Sequence, residues 1–202
     1  MKIFEINNKD YNLPQDWNEV NLEMFERIVK HSGILSEYKS KILYAIEMFG
    51  ILLDAPIDEI KKLDRKSYDI LANNCEWATK EVVSSKRREW KLDGETWRSF
   101  DELNKLTMGD SISLELMINE SNEQNLLTNI LPILIRKEKK VTRGDKEITI
   151  LEDFDAESYE ETKQLFRKNI MVSDVIWLKD FFLNGEVISS TTSKVTSESH
   201  KK

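Results

Sequence analysis

Acid–base or nucleophilic catalysis begins with histidine, cysteine or paired carboxylates, and this chain offers two histidines, His31 and His200, and one cysteine, Cys75. A histidine pair would have to join His31, at the end of a predicted helix, to His200 in a polar C-terminal stretch. At a helix end His31 is accounted for by the favourable field that a C-terminus offers a cation. Cys75 falls on an apolar helical stripe, where a thiol serves as a small buried hydrophobe rather than a nucleophile. The acids Glu152, Asp153, Asp155, Glu157, Glu160 and Glu161 have the types needed for carboxylate catalysis or magnesium binding. Their density ahead of a predicted helix is also what a helix N-terminus favours, and that is the reading taken. Clusters with zinc or calcium spacing do not occur, and no two glycines fall within six residues of each other, so no phosphate loop can form. No catalytic residue, metal site or cofactor is predicted, and the chain is read as a non-enzyme.

Binding chemistry is better represented. Lys86-Arg87-Arg88 and the group Arg136, Lys137, Lys139, Lys140 could touch nucleic acid or an acidic partner, but acids follow or interleave both, as on a solvated hairpin flank. A formal net charge of −7 makes duplex DNA or an anionic membrane a poor partner on average. Arg143-Gly144-Asp145 reads as a turn rather than an adhesion tripeptide. Asn119-Glu120-Ser121 fits a glycosylation acceptor, yet the charged N-terminus lacks the apolar run of a signal peptide. Most of the five tryptophans must fill core. Residues 175–183 are apolar almost all round, so that segment is either deeply buried or docks on a partner. The predicted partner-binding residues are therefore Trp177, Phe181 and Phe182, with Arg136, Lys139 and Lys140 as a polar second set.

These residues must be positioned by a chain of 202 residues, 40% hydrophobic and 33% charged, which can bury a real core in one large domain or two small ones. Its longest apolar stretches, around Ile42 to Ala55 and Leu126 to Ile135, fall short of the roughly 20 residues that cross a bilayer. Alternation over residues 2–13 predicts a hairpin with its turn at Asn7 to Asp10. Asn21 precedes a helical face of Leu22, Phe25, Ile28 and Val29 that stops near Gly33. A second stripe, Tyr38, Ile42, Ala45, Ile46, Phe49, Leu52 and Leu53, closes at Pro56. A third, Ile60, Leu63, Ser67, Leu71, Cys75, Ala78 and Val82, can cover the second as an antiparallel helix.

The pattern then restarts. Trp90 and Leu92 lead through Asp93-Gly94, a strong hairpin signal, to Trp97 and Phe100. Thr107 with Asp110 starts a helix whose face is Ile112, Leu116 and Asn119. Leu126 to Leu134 form another apolar face, in which Pro132 should kink the helix or mark a new start. A third, charged hairpin over residues 136–150 should project into solvent. Asp155 is read as the cap of a helix through Ile170, and Ser173 as the cap of a shorter one ending at Asn184-Gly185. An offset of 86 residues aligns Phe4, Ile6, Asn7-Asn8 and Tyr11 with Trp90, Leu92, Asp93-Gly94 and Trp97. The prediction is an α+β, mainly helical fold with two or three small hairpins, in two halves of similar plan, residues 1–85 and 86–188, before a disordered tail at 189–202.

This layout resembles small proteins of tailed bacteriophages. The phrases that carry the likeness are the hairpin from Lys2 to Pro14, followed by Trp17 and Val20-Asn21-Leu22, and Trp90 to Trp97 leading to the segment Asp101 to Asp110. Phe181-Phe182-Leu183 before a polar tail completes it. The family resembled is that of the phage tail assembly chaperones. The resemblance implies a host-cytoplasmic protein that binds the helical tape measure protein and helps tail tube subunits assemble around it. It carries over no catalytic residue, and the basic hairpin from Arg136 to Lys146 has no counterpart in it. A connector or minor tail component retained in the virion fits the same sequence. A nucleic-acid-binding or host-directed regulator would instead use the two basic segments and would lose affinity steeply with salt.

Overall fold

The computed structural model describes residues 1–100, 102 and 105–179. The chain opens with strands β1 (Lys2–Ile6) and β2 (Lys9–Leu13), paired antiparallel with Ile6 opposite Lys9. That register leaves only Asn7-Asn8 as the turn, with φ of 51° and 62°. Asparagine tolerates the left-handed region that a two-residue hairpin turn demands. The turn is therefore shorter than predicted, and Lys9 and Asp10 belong to the strand.

Asn21 accepts a hydrogen bond from the Met24 amide and starts α1 (Leu22–Gly33), as its position in the sequence implied. Ser40 caps α2 (Lys41–Leu53) in the same way, and Asp54 ends that helix in the left-handed region ahead of Pro56. The third predicted stripe is not one helix. Asp64 accepts from the Ser67 amide and opens a new helix, which divides the stripe into α3 (Ile57–Ile60), α4 (Arg65–Asn74) and a 3-10 turn at Glu76–Thr79. A short acidic side chain that satisfies backbone donors favours such a restart over continuation. Ile60, Leu71 and Cys75 still point inward, and Phe49 of α2 meets Tyr68 of α4 edge-on at 5.5 Å.

The second half repeats the opening. Strands β3 (Glu89–Leu92) and β4 (Glu95–Ser99) flank Asp93-Gly94, at φ 50° and 80°, and Trp90 lies opposite Trp97. A capping box between Thr107 and Asp110 starts α5 (Met108–Glu120). Helix α6 (Leu126–Leu134) is buried at every residue from Leu127 onward and passes directly into β5 (Ile135–Arg143). Pro132 neither divides α6 nor starts a new helix. It lies in the last turn, where the helix is about to end and little remains to disrupt.

Strand β5 pairs with β4 at its base, Ser99 opposite Ile135, and with β6 (Lys146–Leu151) from Glu138 to its tip. The second and third hairpins thus merge into one antiparallel sheet in the order β3-β4-β5-β6. The predicted projection into solvent holds only for the far end around Gly144. Helix α7 (Tyr159–Asn169) begins after Ser158, because Asp155 instead accepts from the Glu157 amide. Residues 172–179 form α8, which starts one residue ahead of the predicted cap, Ser173. Its predicted end at Asn184-Gly185 and the tail at 189–202 lie outside the described residues.

The architecture is α+β and mainly helical, with eight α-helices and two small antiparallel sheets among the described residues. No described helix is long and apolar enough to cross a membrane. Buried side chains from Ile6 to Leu178 form one cluster, with members on both sides of residue 85. A short bridge joins the two sides: the Leu22 amide donates to the Ile170 carbonyl at 3.1 Å, and the Val172 amide to Val20 at 2.9 Å.

Candidate partner-binding surface

Of the residues with catalytic types, His31 and Cys75 are buried inside the fold, and His200 lies outside the described residues. His31, in the last turn of α1, is buried, stacks on Tyr44 at 4.4 Å, and has its Nε2 2.9 Å from the Tyr44 carbonyl. Burial pushes the Cys75 thiol up to about 12, so it stays protonated and unreactive at neutral pH. The acidic run lines a cleft of about 540 Å³ between the four-stranded sheet and α7, where Glu152, Asp153 and Asp155 face Trp97, Lys137 and Tyr159. Lys137 holds its ammonium 5.4 Å over the Trp97 ring and 4.0 Å from Glu95, which supplies positive charge inside that cleft. Among the described residues no three acidic, histidine or cysteine side chains converge in a way that could hold a metal ion.

Arg136, expected as a surface cation, is buried to 4% exposure. Its Nη2 donates to Asp110 Oδ1 at 2.8 Å, its Nη1 donates to the Pro132 carbonyl, and its guanidinium lies 4.9 Å from the Phe154 ring centre. Burial pulls its pKa below the ordinary arginine value, and the neighbouring Asp110 and Asp153 oppose that fall. Arg136 thus ties the start of α5 to the end of α6 and the base of β5, and it cannot reach a partner. The cause is plain: Arg136 is the second residue of a strand that follows directly on a buried helix, and in composition it looks like its exposed neighbours.

Lys139 and Lys140 are exposed, with the Lys140 ammonium 3.3 Å from Glu147. In the other basic segment Arg87 pairs with Asp174 at 3.3 Å and Arg88 covers the Trp177 ring at 5.2 Å. The cations are interspersed with acids and aromatics rather than gathered into a phosphate-binding stripe. Trp177 is half-buried and donates from Nε1 to the Asp174 carbonyl at 2.9 Å. Phe181 and Phe182 lie outside the described residues.

The surface that sequence reasoning missed is on α5. Asp110 is turned inward against Arg136, and Leu114, four residues on, is buried on the same face, with Met117 one turn further and half-buried. Met108, Ile112 and Leu116 therefore point the other way, at 77%, 55% and 51% exposure. Ile112, Leu116 and Asn119 were read as the face of this helix, and all three are exposed. The signal was present as apolar residues on both sides of one helix, a pattern that fits a buried helix or one with a further partner. No lysine or arginine occurs between Lys105 and Arg136, so the charges that α5 itself sets beside this stripe are acidic, with Glu115 and Glu120 exposed. A comparison with known proteins found no matching family model, no matching curated protein and no matching solved structure.

Proposed function

We propose that this chain is a non-catalytic phage morphogenesis protein of the tail assembly chaperone kind, which binds the tape measure protein while a tail is built. The observation that carries the reading is the outward stripe of Met108, Ile112 and Leu116 on a well-capped helix of an acidic body. Each large apolar side chain left in water forgoes about 1.5–3 kcal/mol of burial, which a partner's apolar surface restores. The net charge of −7 keeps such a complex dissolved while it waits for assembly.

A tape measure protein is a long helical chain with apolar stripes, and a short amphipathic seat suits it as a helix-in-groove contact. On this reading the chain acts in the host cytoplasm during assembly and is left out of the finished particle. Mass spectrometry of purified particles and of late-infection lysate tests the reading. Presence in lysate and loss from particles supports it, whereas a fixed copy number per particle makes the chain a structural tail component instead.

A further inference from the structure

The two halves of the chain keep one register at an offset of 86 residues. Phe4 pairs with Tyr11 as Trp90 pairs with Trp97, and the turns fall at Asn7-Asn8 and Asp93-Gly94. The helix caps Asn21 and Thr107 also stand 86 apart, and so do the buried residues Ile28 of α1 and Leu114 of α5. Helix α1 is therefore the internal counterpart of α5, position by position. Leu22, Glu26 and Lys30 correspond to Met108, Ile112 and Leu116.

On α1 the first two positions of that face have an occupant, and Lys30 is exposed as Leu116 is. Leu22 is fully buried, its amide bonded to Ile170 at the end of α7, and Glu26 receives Arg167 of α7 at 2.8 Å. Val20 then accepts from the Val172 amide, so the occupant is a helix followed by an extended residue that pairs with the chain just ahead of α1. On α5 the matching positions are Met108 and Ile112, which are exposed, and the residue matching Val20 is Leu106.

We infer that the outward face of α5 is a seat for a helix of another protein, held as α7 is held on α1. The glutamate that α7's arginine meets on α1 is replaced by Ile112 on α5, so this occupant presents an apolar stripe at the centre of the contact. Its flanks are basic, because α5 itself sets Glu115 and Glu120 beside the seat and carries no cation. A second copy of this chain is disfavoured by the same charges, since two α5 faces would bring their glutamates together. The inference names the seat and partner chemistry for the binding role proposed above and rests on that role. Particle composition can reject the assembly role while the seat stands, and a peptide titration can reject the seat by itself.

The probe is a fluorescein-labelled 18-residue peptide of leucine and lysine with its leucines on one helical face, titrated with the full chain and read by anisotropy. The full chain should bind saturably at micromolar concentration. Ile112→Gln with Leu116→Gln should weaken binding at least tenfold at an unchanged melting temperature. Replacing the peptide's lysines by glutamates should weaken it by a similar factor. Ile34→Gln with Leu35→Gln, at another exposed apolar spot, should bind like the parent. The proposal is overturned if the parent does not bind, if the two double variants lose affinity equally, or if the glutamate peptide binds as well. It is also overturned if sedimentation shows a dimer that the Ile112 and Leu116 changes dissolve, because a second copy is then the occupant.

Discussion

At the scale of single residues, the balance of charge and burial decides what a side chain is for. Arg136 and Asp110 form an ion pair with side chains only 5% and 7% exposed, and removing one partner leaves the other charge stranded. Arg136→Met should cost about 3–5 kcal/mol in urea unfolding. Lys139→Met, three residues along the same strand, should change stability by less than about 0.5 kcal/mol. Cys75 and Tyr159 are both held near 12 by burial, above their ordinary values of 9.0 and 10.0. As pH rises through 9 to 10 the unfolded chain loses these protons while the folded chain keeps them until about 12. The stability they contribute is thus complete below pH 9 and is lost toward pH 12. Unfolding free energies measured at pH 8 and pH 11 should show that fall, and Cys75→Ala should make its slope shallower.

At the scale of elements, what could be read from sequence was what a few neighbouring residues decide. Asn21, Thr107 with Asp110, and Asp93-Gly94 each satisfy local backbone groups or supply a left-handed turn, and each stands where its pattern put it. The errors came from choices made at a distance. Asp64 could have sat on the surface of one long helix, and the inward face of α5 was fixed by Arg136, 26 residues beyond Asp110. Periodicity alone found α5 but turned it the wrong way, because both of its faces carry apolar residues. The corrected orientation has a direct consequence. Leu114→Ala should cost about 2–5 kcal/mol, as a cavity in the core does, and Leu116→Ala should stay within about 0.5 kcal/mol in the same thermal or urea melts.

At the scale of the whole molecule, a single core locks two similar halves together, and α7 with its following bridge is the element that spans them. One half has its α1 face covered from within at Leu22 and Glu26, and the other leaves the corresponding α5 positions, Met108 and Ile112, open beside exposed glutamates. A body of that kind is suited to lend an apolar seat to another chain and keep it dissolved. For the proposed assembly role the most direct measurement is co-expression with a phage tape measure protein, followed by assay of how much tape measure protein stays in the soluble fraction. The parent chain should raise that fraction severalfold, and the Ile112→Gln, Leu116→Gln variant should not, although it folds equally well. A soluble fraction that is the same with the parent, with the variant and with no added chain would contradict the account.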